Sequence, residues 1–323
     1  MTNAISVENL SMTYDNKGEK NIAVDNISFT VDQGEIFSFL GPSGAGKTTT
    51  QRILTTLLPI ENGEVSIAGY NVLTDAKKVR ANIGYVSQLG GADPNATVRE
   101  NLELTGKLYG LSKKLTVQRI DKLSKLLDFH ELLSRFVRTL SGGQKRRVEI
   151  AQGILHEPKV LFLDEPTTGL DPQNRANLWR HIKKLRDNGM TIFLTTHYLE
   201  EADALSNRLV ILDQGKIVAE GTPTELKKKV SGEAISLELK YLQDVEKINV
   251  FFNQIGIDNV IETDMKFTIY TSKGEELIGR IFKYSKENHV ELVNLSLSMP
   301  SLNDVFLSLT GKELRDGGKR GEQ

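Results

Sequence analysis

One short segment limits what this chain can fold into more than any other: residues 41–48 read Gly-Pro-Ser-Gly-Ala-Gly-Lys-Thr. They match the phosphate-loop pattern GxxxxGK(S/T), in which glycines let the backbone curl so that successive amides point at a phosphate. An apolar strand, Glu35 to Leu40, is predicted before the loop and a helix, Gly46 to Leu58, after it. The start of that helix adds the positive end of its dipole to the same nest of amides. This order predicts an α/β phosphate-binding fold rather than an ordinary glycine-rich turn.

Two side chains give the loop its chemistry. Lys47 is predicted to reach the β- and γ-phosphates of a nucleotide, and the Thr48 hydroxyl is predicted to ligate Mg²⁺. The loop residues predicted to bind the nucleotide are Gly41, Pro42, Ser43, Gly44, Ala45, Gly46, Lys47, Thr48 and Thr49.

The run Val160 to Leu163 is apolar and ends in two carboxylates, Asp164 and Glu165. A strand buried on both faces can deliver Asp164 to the carboxyl edge of a sheet, where it helps to hold the Mg²⁺ shell. Glu165 then lies next to the γ-phosphate and can accept a proton from the attacking water, which is the role of a general base. The plain alternative is a strand that ends in a charged turn. The phosphate loop in the same chain disfavours that alternative.

The segment Leu140 to Gln144 places two adjacent glycines at the start of a helix predicted over Gly142 to Leu155. Such a start can bind an anion, but the phosphate loop already serves the chain's own nucleotide. We therefore predict that this segment contacts a nucleotide held by another molecule. The basic residues that follow are predicted to form a solvated helix face without a function, and they are Lys145, Arg146 and Arg147.

These motifs, in this order, resemble the ATP-binding cassette superfamily. The resemblance covers residues 1–230 and implies a phosphate-loop cassette, with a helical subdomain at about 97–155, that binds and hydrolyses ATP with Mg²⁺. In that family the signature segment of one subunit closes over ATP held by the other. The residues implied to act across such a dimer are Ser141, Gly142, Gly143, Gln144 and Asp171.

The resemblance also assigns roles to single residues. Tyr14 is similar to the aromatic residue that stacks on adenine, and a plain surface tyrosine is the alternative. Gln88 resembles the glutamine that touches Mg²⁺ or its water and links to the membrane subunit, and His197 matches the histidine that contacts the γ-phosphate. The implied catalytic residues are Glu165, His197, Gln88 and Lys47, and the implied metal ligands are Thr48, Gln88 and Asp164.

A second domain is predicted because 323 residues exceed the usual size of one domain. The boundary falls at a basic run that ends at Lys229 and at Ser231-Gly232, which divides the chain into 1–230 and 231–311. The later segment reads as a small α+β domain. Its predicted helices are Val245 to Ile255 and Glu275 to Tyr284, and its predicted strands are Ala234 to Tyr241, one near Val260, Phe267 to Tyr270 and Val290 to Leu297. Residues 312–323 are expected to form a flexible tail.

The end of this domain carries a finer resemblance. Asn294 to Leu297 and Ser301 to Gly311 are similar to the tail of the daunorubicin-resistance-type ATPases, which drive export of drugs, antibiotics, lipids or polysaccharides. One departure is Gln144, where many members of that group carry methionine. The resemblance implies a nucleotide-sandwich dimer of two copies of this chain, paired with a separately encoded transmembrane permease.

Composition limits the alternatives. The net charge of -1 and the pI of 6.6 give no sign of the basic face that duplex-binding proteins carry, so no nucleic-acid partner is expected. No apolar run approaches the ~20 residues that cross a bilayer, so the chain itself is not expected to span the membrane. The family resemblance implies a peripheral position on the cytoplasmic face of the cell membrane. A non-transport cassette ATPase is disfavoured by the single cassette and the lack of a sustained heptad run. A nucleotide sensor without turnover is disfavoured by Glu165.

Overall fold

A computed structural model describes residues 3–16, 19–229, 233–257 and 260–311. The chain forms two compact units, which divide between Glu220 and Gly221. The boundary predicted at residue 230 lies further along the chain than this division, because helix Pro223–Lys229 belongs to the second unit, where it packs against helix Leu302–Thr310. The tail predicted over 312–323 lies outside the described residues. Of the helices within the described ranges, none combines the length and the apolarity needed to cross a membrane.

The first unit contains two sheets and a group of helices. Its strands are β1 (Asn3–Asn16), β2 (Glu19–Asp32), β3 (Ile36–Leu40), β4 (Asn62–Ile67), β5 (Tyr70–Asn71), β6 (Ile83–Val86), β7 (Val160–Asp164), β8 (Thr191–Thr196), β9 (Arg208–Asp213) and β10 (Lys216–Gly221). Its α-helices are α1 (Lys47–Leu54), α2 (Ala76–Asn82), α3 (Val98–Leu108), α4 (Lys113–Leu126), α5 (Gly142–Ile154), α6 (Pro172–Asp187) and α7 (Leu199–Leu205), and short 3-10 helices span His130–Leu132 and Val137–Thr139.

The central sheet has six strands in the order β10-β9-β3-β8-β7-β6. Strand β3 runs parallel to β8 and β9, and β7 runs parallel to β8 and β6. Strands β3, β7 and β8 are buried along their whole length, as is usual where helices and a second sheet cover both faces of a parallel sheet. The register pairs Leu40 with Thr196 and Asp164 with Thr195, so the segments that follow these strands meet at one edge. The predicted α/β architecture is confirmed.

A second sheet, in the order β2-β1-β4-β5, is antiparallel. The sequence predicts a strand over Ser28 to Val31 and a first strand that ends at Tyr14, but not the full length of this sheet, because register shifts in β1 interrupt the strict alternation that marks a strand. The sheet packs on the central one through aromatic rings: the Phe29 ring lies 4.9 Å from the ring of Phe39 and 6.1 Å from that of Phe193. The central sheet is therefore covered by another sheet as well as by helices.

Helices α3, α4 and α5 pack on one another and form the helical part of the unit. A capping box between Thr97 and Glu100 begins α3 and the Ser112 hydroxyl caps α4, so one of the first amides of each helix is hydrogen-bonded. Helix α1 ends at Leu54, whereas the predicted helix runs to Leu58. The left-handed backbone of Thr56, with φ 63°, stops that helix.

The second unit is a four-stranded antiparallel sheet with helices. Its elements are α8 (Pro223–Lys229), β11 (Glu233–Leu239), a 3-10 helix (Leu242–Asp244), α9 (Val245–Gln254), β12 (Val260–Thr263), β13 (Lys266–Thr271), α10 (Gly274–Glu287), β14 (Leu292–Ser298) and α11 (Leu302–Thr310). The strand order is β12-β13-β11-β14. The apolar side of β11 packs in a core with Phe252 of α9 and Ile281 of α10, both buried. Sequence patterns predict these strands and the two core helices but not α11.

Candidate active site

The phosphate loop joins β3 to α1, and its shape depends on glycine at two positions. A side chain at Gly41 would place its Cβ 2.2 Å from the carbonyl oxygen of Leu212. Gly46 has φ 100°, and a Cβ there would lie 2.3 Å from the carbonyl oxygen of Ala23. The Gly215 amide donates to Ala45 O at 3.1 Å, so β2 and the turn before β10 both contact the loop. Gly46 caps α1 without a side-chain hydrogen bond, which leaves the first amides of that helix for an anion.

Lys47 is folded back into this loop. Its ammonium donates to Gly41 O at 2.7 Å and to Pro42 O at 2.9 Å, and it lies 3.9 Å from Glu165 Oε1. Burial lowers the pKa of Lys47, and the charges of Glu165 and Asp164 oppose that shift. The backbone carbonyls hold the ammonium at the mouth of the loop, where a phosphate can replace them as its partner.

Asp164 and Thr48 lie side by side. Thr195 Oγ1 donates to Asp164 Oδ1 at 2.7 Å, and Thr48 Oγ1 donates to the same oxygen at 3.4 Å. A carboxylate and a hydroxyl suit Mg²⁺, which prefers oxygen ligands and takes its remaining ligands from water and phosphates. Within the described ranges no group of three or more His, Cys, Asp or Glu side chains could hold a metal by itself. The donor set therefore fits Mg²⁺ bound together with a nucleotide better than a fully protein-ligated metal.

The Glu165 carboxylate is contacted by several side chains of the site. Its Oε2 accepts hydrogen bonds from Gln88 Nε2 at 3.1 Å and Thr168 Oγ1 at 3.2 Å, and it lies 3.2 Å from His197 Nδ1. Burial alone raises the pKa of Glu165, but the bond to His197 and the nearby positive charge outweigh burial and leave the pKa lowered. The backbone of Glu165 has φ 42°, a rare conformation that its amide maintains by donating to Thr195 O at 3.1 Å.

These side chains surround one cleft of about 290 Å³. Its lining residues are Ala23, Ser43, Gly44, Gly46, Lys47, Thr48, Thr49, Gln88 and Glu165. Tyr14 joins the rim, because its hydroxyl lies 3.5 Å from Thr49 Oγ1. The structure thus brings the predicted loop, the strand-end carboxylates, Gln88 and His197 together. The predicted adenine contact of Tyr14 stays a prediction.

The signature segment lies elsewhere on the first unit. Ser141 and Gln144 form a capping box at the start of α5, with Gln144 N donating to Ser141 Oγ at 3.3 Å. A Cβ on Gly143 would lie 2.6 Å from Asn174 Oδ1, and Asn174 in turn is held by the α6 cap Asp171. The signature and Asp171 are therefore neighbours. Among the described residues, none of 141–144 lines the phosphate cleft, and neither does Asp171. The predicted role of these residues across a dimer therefore stays a prediction.

One sequence prediction near the site is wrong. Arg146 is only 6% exposed, so the basic run after the signature is not a solvated face. Its guanidinium donates to Ser87 O at 2.7 Å, Asp164 O at 3.0 Å and Pro166 O at 3.0 Å, and it pairs with buried Glu149 at 3.1 Å. Helical spacing contains the missed signal, because Arg146 stands one helical turn before buried Ile150. Arg146 ties the signature helix to both neighbours of Glu165 and to the residue before Gln88.

Comparison with known proteins shows the family of this chain. A sequence model of the ABC transporter family matches residues 24–168, and a model described as the C-terminal domain of DrrA1-3-like ATP-binding proteins matches residues 221–310. The daunorubicin resistance ATP-binding protein DrrA3 of Streptomyces coeruleorubidus is 37% identical over 97% of each chain. The Nod factor export ATP-binding protein I of Cupriavidus metallidurans is 37% identical over 98% of this chain and 100% of its own.

A solved structure extends the comparison to the fold. The dimeric ATP-binding cassette MJ0796, in a post-hydrolysis state bound to ADP and Pi, superposes with a TM-score of 0.61 at 29% identity. The similarity covers 68% of this chain and 98% of that cassette.

Proposed function

This chain belongs to the ATP-binding subunits of ABC transporters and is an ATPase, and from that premise we propose that it powers export through a separately encoded membrane subunit. The relatives that it matches along nearly their whole length are named for drug resistance and for Nod factor export. A drug, antibiotic, lipid or polysaccharide is the proposed cargo class. The non-transport alternative finds no support among these relatives.

The proposed chemistry rests on one observation, the convergence of Gln88, Thr168 and His197 on Glu165 Oε2. A lowered pKa keeps Glu165 ionised at neutral pH, so this carboxylate can accept a proton from water. As the O–H bond breaks, the water oxygen attacks the γ-phosphorus and the bond to the β-phosphate oxygen breaks, which gives ADP and phosphate. Lys47 offsets the charge that develops on the phosphates.

Mg²⁺, when bound by Thr48 and Asp164, would neutralise part of the phosphate charge. Gln88 donates its amide hydrogen to Glu165, which leaves its carbonyl oxygen free for the metal or its water. We propose these roles for the three side chains because their oxygen atoms fit the ion.

The proposed partner is a second copy of the chain, because Ser141, Gly142 and Asp171 lie together on the surface of the first unit and outside the phosphate cleft. Two copies placed head to tail would bring each signature segment over the other copy's phosphate loop. The matched MJ0796 cassette is itself dimeric, which supports this proposal.

We propose that the membrane subunit binds in a groove of about 440 Å³ on the first unit. Arg80, Leu57, Gly90 and Tyr109 are among its lining residues, and Leu57 is 57% exposed. Ser87, which accepts a hydrogen bond from Arg146, lines the same groove. A cytoplasmic segment of the membrane subunit seated here would sense movement beside Gln88 and hold the chain on the cytoplasmic face of the membrane, as a peripheral subunit.

The partner test is purification with the membrane protein encoded beside this chain. We expect that protein to co-purify with the wild type, and Leu57→Glu to weaken the complex by placing a charge in the groove. Leu242→Glu is the matched control, because Leu242 is 70% exposed but lies in the second unit. Equal recovery of the membrane protein with both variants would contradict binding of the membrane subunit in the groove.

A further inference from the structure

Glu201 is a buried carboxyl group that the proposed chemistry does not use. It lies on α7, and its side chain is fully buried. Helix α7 packs against both α6 and β8. A buried carboxyl is costly unless its oxygens are hydrogen-bonded, so its partners indicate what it holds in place.

The first partner is the chain's single tryptophan. Trp179 Nε1, on α6, donates to Glu201 Oε1 at 3.1 Å. Helix α6 begins immediately after its cap, Asp171, which ends the turn that follows Glu165. Glu201 therefore holds the helix that continues from this turn.

The second group that Glu201 can bind is Thr167, inside the same turn. Glu201 Oε2 and Thr167 Oγ1 are both buried, and neither has a hydrogen-bond partner of normal geometry in the part of the chain that is described. A protonated carboxyl has one O–H donor, and directing it at the Thr167 hydroxyl would satisfy both atoms. Burial raises the pKa of Glu201 more than hydrogen bonding to Thr196, Thr167 and Trp179 and the electrostatic effect of His197 lower it, which favours that proton.

Both segments near Glu201 touch Glu165. Thr168, next to Thr167, donates to Glu165 Oε2 at 3.2 Å. His197, next to Thr196, lies 3.2 Å from the same oxygen. We propose that Glu201 is a positioning residue, which holds the turn 166–171 and the His197 segment in place around Glu165. This proposal rests on the catalytic role proposed for Glu165.

Three variants test the proposal through kcat and KM for ATP. Glu201→Gln keeps both an acceptor for Trp179 and a donor for Thr167, so its kcat should stay within about threefold of the wild type. Glu201→Leu keeps the bulk but loses both bonds, and kcat should fall about 10- to 100-fold with little change in KM, because the base is misplaced while the phosphate loop is intact. Glu200→Gln, on the exposed side of α7, is the matched control.

A double-mutant cycle serves if Glu201→Leu does not fold. Thr167→Val removes the proposed acceptor without changing the shape of the side chain. In the wild-type background it should lower kcat, and in the Glu201→Gln background the loss should be of the same size, because glutamine keeps the donor that pairs with Thr167. An unchanged kcat in both backgrounds contradicts the pairing.

The pH dependence of unfolding gives a readout independent of turnover. A group whose pKa is raised on folding contributes stability at low pH and loses that contribution as the pH rises through its folded-state value. The wild type should therefore lose stability relative to Glu201→Gln as the pH rises above about 4.3, the ordinary glutamate value. A constant difference between the two proteins would mean that Glu201 is not protonated in the folded state.

Two outcomes overturn the proposal: a folded Glu201→Leu with wild-type kcat, or a Glu201→Gln as impaired as Glu201→Leu. Glu165→Gln, assayed in parallel, separates this failure from failure of the catalytic assignment. If Glu165→Gln still turns over normally, the base itself is wrongly assigned. If Glu165→Gln is inactive and Glu201→Leu is normal, only the positioning role is wrong.

Discussion

The two units of this molecule use their interiors differently. The first unit buries several ionisable side chains, among them Lys47, Arg146, Asp164 and Glu201. In the second unit, Asp244 is the one charged residue that is buried among the residues described. Burying a charge costs folding free energy unless the charge is paired. The first unit therefore gives up stability to form a site, whereas the second unit has an almost entirely apolar core. The comparison predicts that substitutions in the first unit change chemistry and that those in the second change stability.

The largest expected effect is on turnover at Glu165. Removing a general base costs ~10²- to 10⁴-fold, or roughly 3 to 5 kcal/mol of barrier, so Glu165→Gln should lose turnover on that scale and still bind ATP. Steady-state hydrolysis and nucleotide binding, measured on the same preparation, check this. Hydrolysis at the wild-type rate would show that the assigned base is wrong.

The next largest expected effect is that of Arg146→Met, which tests the buried charges directly. It leaves Glu149 buried with only Lys145, 3.7 Å away, as an ion-pair partner and takes one donor from each of three carbonyl oxygens, so the first unit should lose about 3 to 5 kcal/mol of unfolding free energy. Lys145→Met, on the same helix but 40% exposed, removes only that longer contact with Glu149 and should change the unfolding free energy by less than about 1 kcal/mol. Denaturant unfolding of the two variants measures the difference. Equal losses would contradict the contrast between buried and exposed charge.

Mixing two inactive proteins tests whether the site is shared between copies. Lys47→Ala and Ser141→Arg should each abolish hydrolysis in homodimers. A mixed dimer collects both lesions in one site and leaves the other intact, so mixing should restore part of the activity. Sites contained within one chain predict no rescue. If both sites must close together, the intact one can bind ATP yet turn over poorly, so ATP-dependent dimerisation is measured alongside hydrolysis.

The smallest expected effect is the loss of the second unit. A chain ending at Glu220 keeps every residue that lines the phosphate cleft, so its affinity for ATP should change by less than about threefold. We propose that the second unit stabilises the dimer or controls cycling, since the described part of its interior has no clustered catalytic groups. Equilibrium nucleotide binding to the folded truncated protein checks this. A complete loss of binding would tie the second unit to the site.

More of the site than of the fold around it could be predicted from the sequence. The residues that gather at the phosphate cleft, such as Lys47, Asp164 and Glu165, stand in short motifs whose spacing is fixed by contact with phosphate. The antiparallel sheet was largely missed, because the register shifts of β1 obscure the alternation of its side chains. Its contact with the loop through Ala23 depends on residues far apart in the sequence.

Arg146 and Glu201 were missed for a different reason. A charged residue in a polar helix usually faces solvent, and only the packed structure shows which ones turn inward. Both are held by contacts from distant segments: Arg146 by the carbonyls after β6 and β7, and Glu201 by Trp179. Among the described residues of the second unit Asp244 is the one buried charged side chain, and simple alternation predicted the strands and core helices of that unit well.

The contacts that shape the phosphate loop have a consequence for the order of folding. Ala45 accepts a hydrogen bond from Gly215, and Gly46 is packed against Ala23, so the loop reaches its final form only when residues far apart in the chain have met. Such long-range contacts form late, because closing the intervening chain is entropically costly. During refolding, binding of a fluorescent nucleotide should therefore recover more slowly than helical circular dichroism. On the ribosome, the chain must be synthesised past Gly215 before it can hold ATP.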